Sequence, residues 1–449
     1  MSEALLSPQD LLIGRKALEM ALEKGVSKAR ICLSKSVMDL VGTLNGKVDK
    51  VTKCIDKSLS VNLFCDSRYG SFSTNRLDLE GIDAFLDKAI ETTLMLTPDP
   101  LRDLPEPSLT AKDALTGFEL DLYDPEYEAM TPERRLELAL GASIFESAAP
   151  EGCKLVSEEA EYSDSIFDNW TIDSNGLECR HIETAFEYGV EMTVEDTKGN
   201  KYSKYWWDGT PRLKDLDING CCPKALEKAV SMIAPRRVRS GKKTMVIDSE
   251  VASKVVSPIL RALNAYSLQQ NNSFLLDSMG KRLFSEGLTI IDECRRPGKA
   301  GSRLFDSEGV ASSEVPIIEK GEVKRYFVNT YMAAKTGYEQ TVEDALRPRV
   351  LPFPEEGLDR DEIIRRCGEG ILITDFNGGN SNTSTGAFSY GIEGYAFKNG
   401  RITHPVHDMV VTGNFLDLWS GLLYCGSDAR ECQSKLVPTL AFADVDFSA

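Results

Sequence analysis

The side chains with the widest chemical range are scarce here. The chain has 449 residues and three histidines, His181, His404 and His407. A zinc hydrolase of the HExxH type sets two imidazoles on one face of a helix, with the glutamate between them acting as base. His181 precedes Ile182, His404 precedes Pro405 and His407 precedes Asp408, so none of them opens that motif. His404 and His407 form an HxxH pair, which on a helix could chelate a metal. Behind a hairpin and across Pro405 the backbone is expected to be extended, and an odd spacing in a strand turns the two rings to opposite faces. The pair stands as an alternative metal site, and no metal is expected in this chain.

Nucleophiles give no stronger pattern. The eleven cysteines are scattered and include no CxxC pair, which fits reduced thiols in a cytoplasmic protein. Exposed thiols at Cys221 and Cys222, near a helix start, would have lowered pKa values. Packing as small apolar residues is the competing role and the expected one. Ser278 and Lys281 match SxxK without companion motifs, and no GxSxG elbow occurs. The run from Arg236 to Lys243 contains Gly241-Lys242 but lacks the first glycine and the final Ser or Thr of a phosphate loop. No catalytic residue is assigned.

The richest candidate is instead a stretch without charge, "NGGNSNTSTGAFSYG", from Asn377 to Gly391. Twelve of its fifteen residues are Gly, Asn, Ser or Thr. A strand, "GILITDF", runs into it and a hairpin, "GYAFKNGRITHPV", runs out, so both ends are anchored. No Lys and no helix start accompany the glycines, so a phosphate cradle is not expected. Three roles compete: a flexible tether, a tight loop packed on a partner, and an edge that hydrogen-bonds an extended peptide through its backbone. Small side chains permit the close approach that the last role needs. Asn377, Gly378, Gly379, Asn380, Phe388 and Tyr390 are the candidate substrate-binding residues.

These residues need elements to position them. Ser7, Pro8 and Asp10 read as a helix start, and Gly25 as its stop. Asn45-Gly46 and Asn175-Gly176 mark hairpin turns. Helices are expected near Leu79–Leu96, after Thr131-Pro132, and near Pro223–Ile233. Between residues 97 and 132 lie six prolines and many acidic residues, which read as a connector. Helix, strands, helix thus occurs twice, which predicts a duplicated α+β unit. The expected organisation is an N-terminal α+β unit over 1–96, a Pro-rich acidic connector over 97–131 and a second α+β unit over 132–235. A mostly β, barrel-like domain with a few helices is expected over 240–449, giving an α+β fold class.

Composition narrows the function classes. The net charge is −18, which argues against direct nucleic-acid binding because an acidic surface is repelled by phosphates. A binding module that imitates DNA stays open as an alternative. The N-terminus lacks a basic and apolar leader, and no apolar run approaches a membrane span, so a cytoplasmic location is expected.

Long segments carry a resemblance. "FNGGNSNTSTGAFSYGIEGYAFKNGRITHPVHDMVVTGNFLDLW" is similar to the C-terminal signature of the TldD/PmbA (TldE) family. "NNSFLLDSMGKRLFSEGLTI", "FDSEGVASSEVPIIEKGEVKRYFVNTYMAAKTG" and "CQSKLVPTLAF" agree with it as well. The family, also called modulators of DNA gyrase, implies two related subunits of a metalloprotease. That protease acts on unfolded or extended polypeptides and on precursors of small peptides. The resemblance places an HExxxH zinc helix and a C-terminal Cys ligand in the TldD-type chain. Here the matching helix reads "SKVVSPILRALNAYS", without His or Glu, and Cys432 falls where the Cys ligand would be. The resemblance therefore implies a PmbA/TldE-like subunit without its own zinc, with Cys432 a remnant. It also implies a zinc-bearing TldD-like partner, and a homodimer when that partner is missing. The alternatives are an independent Cys- or metal-dependent hydrolase and an acidic binding module that modulates DNA gyrase, as the family's other label implies.

Overall fold

The computed structural model describes residues 3–148 and 150–449. Its first half repeats one pattern. Helix α1 (Pro8–Glu23) leads to strands β1 (Lys28–Leu44), β2 (Lys47–Cys65) and β3 (Arg68–Thr74), and helix α2 (Leu79–Met95) follows. Helix α3 (Pro132–Gly141), strands β4 (Cys153–Asp173), β5 (Glu178–Asp196) and β6 (Lys201–Thr210), and helix α4 (Ile218–Ser231) repeat the order. The duplicated α+β pattern is therefore present.

The local signals explain the element ends. The Ser7 side chain accepts a hydrogen bond from the Asp10 amide while the Asp10 side chain accepts from the Ser7 amide, a closed capping box. Asn45 and Gly46 take φ values of 53° and 72°, which lets β1 turn directly into β2. Helix α4 begins five residues earlier than Pro223 suggests, because Asp217 caps it at the Gly220 amide.

The two strand triplets join edge to edge. Strands β1 and β4 pair antiparallel from Arg30↔Asp173 to Leu44↔Glu159 and complete one six-stranded sheet, β3-β2-β1-β4-β5-β6, curved into a half-barrel. Helices α1 and α2 bury Ala17, Ala21, Ile82 and Leu86 against one end of that sheet, and α3 and α4 bury Ala139, Cys222 and Ala225 against the other. Chain between the triplets packs too: Ala111, Ala114, Leu120 and Leu122 share a small core with Leu177, Leu304 and Phe305.

The second half is built around a closed barrel. Strand β7 (Gly241–Ile247) leads to helices α5 (Ser253–Ala262) and α6 (Ala265–Gln269). A small sheet of β8 (Ile290–Asp292), β9 (Val315–Glu319), β10 (Glu322–Val323) and β11 (Pro348–Val350) follows, with α7 (Thr330–Thr336) inserted. Helix α8 (Arg360–Cys367) precedes β12 (Gly370–Ser381), β13 (Ala387–Lys398) and β14 (Arg401–Asn414). Helix α9 (Phe415–Ser420) and strands β15 (Leu422–Cys425) and β16 (Leu440–Ser448) end the chain. The order β14-β13-β12-β7-β16 closes because β14 pairs with β16 at Val410↔Ser448 and Thr412↔Asp446. Ile247, Ile371, Ile392, Val406 and Phe442 are fully or nearly fully buried in the core inside it.

Pro258 lies inside α5, and the Asn264 side chain caps α6 at the Tyr266 amide. No helix among the described residues is long and apolar enough to cross a membrane.

Candidate functional site

Strand β12 changes partners along its length, and that change opens a groove. From Ile371 to Ile373 it runs parallel to β7 at Met245–Ile247. Beyond a register shift between Ile373 and Asp375 it pairs only with β13, as Gly378↔Gly391, Gly379↔Tyr390 and Ser381↔Phe388. The other edge of Asp375–Ser381 therefore faces away from β13 without a strand beside it among the described residues. Helix α5, which follows β7, stands across that gap.

The periodicity of α5 decides what it presents. Val255, Val256, Ile259 and Leu260 are buried in the barrel core. Ser253, Lys254, Ser257, Pro258 and Arg261 fall on the opposite face, with the i, i+4 and i+8 spacing of one helical side, and line the groove. Asp375, Phe376, Gly379, Asn380 and Ser381 form the facing wall, with Tyr390 between the walls. The space measures about 570 Å³.

Packing fixes the base. Tyr390 is 2% exposed and stacks on Phe388 with centroids 5.6 Å apart, while Phe376 meets it edge-on at 5.5 Å. Phe388 in turn lies 4.9 Å from Phe415. Lys254 Nζ sits 4.9 Å from the Tyr390 ring centre. Burial pushes the Tyr390 phenol upward, and a hydrogen bond with Ser381 and the charge of Arg261 act against that.

Two groove carboxylates are paired from behind by the N-terminal half. Lys204 of β6 reaches Asp375 at 3.2 Å and Glu393 at 2.7 Å. Burial alone would lower the Lys204 pKa, but hydrogen bonds and charge from Glu393 and Asp375 outweigh it, and the net shift is upward. Glu250, where the chain enters α5, pairs with Lys228 of α4. Burial, then the charge of Asp248, holds the Glu250 carboxyl above its ordinary value despite Lys228.

The candidate residues from the glycine-rich stretch divide into three groups. Gly379, Asn380 and Tyr390 line the groove. Asn377 and Gly378 are exposed just outside it, where Asn377 Nδ2 donates to Glu393 Oε1 at 3.2 Å. Phe388, 5% exposed, supports Tyr390 from the core. Lys254, Ser257, Arg261 and Asp375 escaped the sequence reasoning. The apolar i, i+4 pattern of "SKVVSPILRA" carried a signal for the helix face, but nothing local says that it meets β12.

The other candidates are dispersed. His404 Nδ1 bonds Thr403 Oγ1 at 3.1 Å, and His407 Nδ1 lies 2.7 Å from Asp408 Oδ2 beside a β-bulge. His181 is buried on β5, with Nε2 3.1 Å from Glu183. Burial raises the Cys432 thiol, whose charged neighbours are Arg430 and Asp208. Cys221 and Cys222 are fully buried, and burial pushes them to about 12 and about 11, which removes the thiolate role that exposure would give. Ser278 is buried against the Tyr326 hydroxyl while Lys281 is exposed, so that pair does not meet as a nucleophile and base.

A zinc ion needs imidazole, thiolate or carboxylate donors converging within about 2.0–2.3 Å. Helix α5 offers none of these types, and among the described residues no three His, Cys, Asp or Glu side chains gather to hold a metal. The groove residues do not fit zinc.

Comparison with known proteins accounts for this architecture. Residues 240–449 match the PmbA/TldA metallopeptidase C-terminal domain, and residues 125–233 match the central domain. The "Metalloprotease PmbA" of Escherichia coli O157:H7 is 26% identical over 442 residues, 95% of this chain and 94% of that one. A "Metalloprotease TldD homolog" of Buchnera aphidicola is 25% identical over 270 residues, 56% of each chain. A Bacteroides thetaiotaomicron crystal structure, described as a candidate modulator of DNA gyrase, superposes with a TM-score of 0.93 at 34% identity over 99% of both chains. TldE of Thermococcus kodakarensis shares the fold, with a TM-score of 0.83 at 16% identity over 97% of this chain and 100% of that one. The two domain matches together with the full-length likeness to the Bacteroides protein establish that this chain belongs to the PmbA/TldD family.

Proposed function

We propose that the chain is the non-metal subunit of a two-component protease of the TldD/TldE type, active on unfolded or extended peptides. The observation that carries this is the groove between α5 and the free edge of β12. It has the form of a peptide site, with backbone groups along one wall, small side chains and an aromatic base. Its helical wall holds Ser253, Ser257 and Arg261 rather than metal donors, so hydrolysis would depend on a TldD-like chain that carries the zinc. Such a partner would dock on the C-terminal domain, and the groove would hold or deliver peptide to it. In the absence of a partner the chain would pair with itself.

The test is zinc content and activity of the purified chain, made without chelator or His-tag. Elemental mass spectrometry is expected to find a ratio near zero, and peptide hydrolysis is expected only after a TldD-like chain is added. A ratio of about one zinc per chain, the stoichiometry of a single tetrahedral site, together with hydrolysis by the chain alone, would overturn the proposal.

A further inference from the structure

The groove differs in charge from the molecule around it. The chain carries −18 overall, so an average surface groove would be acidic. Four charged residues line this one: Glu250, Lys254, Arg261 and Asp375. Both carboxylates are paired by lysines that arrive from the other half of the chain, Glu250 by Lys228 and Asp375 by Lys204. Among the described residues neither cation has a carboxylate partner. Lys254 rests over the Tyr390 ring, and Arg261 is exposed beside it on the same helical face. Lys204 divides its charge between Asp375 and Glu393, so the groove and these supports carry four cations, Lys204, Lys228, Lys254 and Arg261, against three carboxylates, Glu250, Asp375 and Glu393, an excess of one positive charge.

We infer that the groove selects extended peptide segments that carry acidic side chains at alternate positions. The inference rests on the proposed role of the groove as a peptide site and names the substrate class for it. Lys254 and Arg261 are seven residues apart, a rise of about 10.5 Å along the helix. On an extended peptide, side chains of one face recur every ~6.6 Å. That rise falls between one such repeat and two (~13.2 Å), so with carboxylates at every second position one lies within about half a repeat of each cation in any register, a gap that the long Lys254 and Arg261 side chains span while the peptide backbone lies along Asp375–Ser381. Ser253, Ser257, Asn380 and Thr383 add neutral hydrogen-bonding groups without a competing charge. A peptide is favoured over a phosphate polymer because one wall is a strand edge, whose alternating N–H and C=O groups match another backbone. Base-stacking platforms of the kind that hold single strands offer successive exposed rings, whereas of the two rings in this lining Tyr390 is buried and Phe376 is half-buried.

The experiment measures fluorescence anisotropy of the full chain with short labelled peptides that place Asp, Ser or Lys at every second position. At low salt the Asp peptide is expected to bind at least roughly tenfold more tightly than the Lys peptide, and the ratio should fall towards one near 1 M salt, where charges are screened within ~3 Å. The double variant Lys254→Gln/Arg261→Gln should bind the Asp and Ser peptides alike while melting at the parent temperature. Equal binding of all three peptides by the parent, lost in Gly378→Val, would sink the charge preference and leave the groove as a peptide site. Binding of none would sink both. A single-stranded oligothymidylate that binds as tightly as the Asp peptide would overturn the assignment to peptide.

Discussion

Lys204 Nζ lies between Asp375 and Glu393, at 3.2 and 2.7 Å, and so ties strand β6 of the N-terminal half to strands β12 and β13 at the mouth of the groove. Only 11% of its side chain is exposed. The same lysine holds the two halves together and sets the charge of the site.

Two adjacent glycines, Gly378 just outside the groove and Gly379 in its wall, should respond differently to substitution. At Gly378 an added Cβ would meet nothing within 4 Å. At Gly379 the backbone has φ +86°, and a Cβ would lie 2.0 Å from the Ser389 carbonyl oxygen. Gly379→Ala should thus cost about 1–3 kcal/mol through the strained backbone alone, whereas Gly378→Val should stay within about 1 kcal/mol of the parent. Urea unfolding of each variant checks this. If the proposed function holds, Gly378→Val also lowers the activity of the reconstituted pair without loss of stability. Equal stability of the two variants would mean that Gly379 does not need its left-handed backbone.

A buried carboxylate beside a half-buried one gives a pH prediction. Asp306 is 4% exposed, and burial followed by the charge of Glu343 pushes it up to about 7. The unfolded carboxyl titrates near 3.9. Between those values the folded state holds a proton that the unfolded state has released. Stability from this group is present below about 4 and is lost as pH rises to about 7, at roughly 1 kcal/mol per pH unit or somewhat more. Glu343→Gln removes the repelling charge, so its melting temperature should fall less than the parent's across that range. A parallel pH course in the two proteins would show that Glu343 does not act on Asp306.

Much of the fold follows from local chemistry in the sequence, and the groove shows where such chemistry stops. Asn45-Gly46 and Asn399-Gly400 demand left-handed turn residues, and both make hairpin turns with positive φ. Ser7 and Thr131 cap the helices that they announce. The joining of β1 to β4 has no such signal, because the pairing of strands over a hundred residues apart depends on matching buried faces rather than on any turn. The same reason hides the site. "NGGN" stands out by composition, but Lys254 and Arg261 acquire meaning only when β7 and β12 pair in parallel and swing α5 across the free edge. Phe388 and Tyr390 look equivalent in sequence, yet alternation along β13 does not separate them; depth does, with Tyr390 at the groove base and Phe388 behind it against Phe415. Lys204 is one of many lysines until the halves meet.

That lysine supports the last prediction. Lys204→Gln removes the ammonium that separates Asp375 from Glu393 and leaves two carboxylates facing each other at a partly dry interface. Breaking a buried pair by removing one partner costs up to about 3–5 kcal/mol, and the partial exposure of Asp375 and Glu393, 47% and 28%, places this case well below that range. The sign with pH follows from the lysine. The Lys204 pKa is raised in the folded state, so its contribution persists through neutral pH and is lost only as pH rises through that raised value. The difference in melting temperature between parent and Lys204→Gln should therefore hold through neutral pH and shrink only above the ordinary lysine range, about 10.4. Limited proteolysis should cut the variant faster near residues 232–240, where the halves connect. A difference that persists unchanged above the ordinary lysine range would show that Lys204 acts through packing of its alkyl stem, and not through its charge.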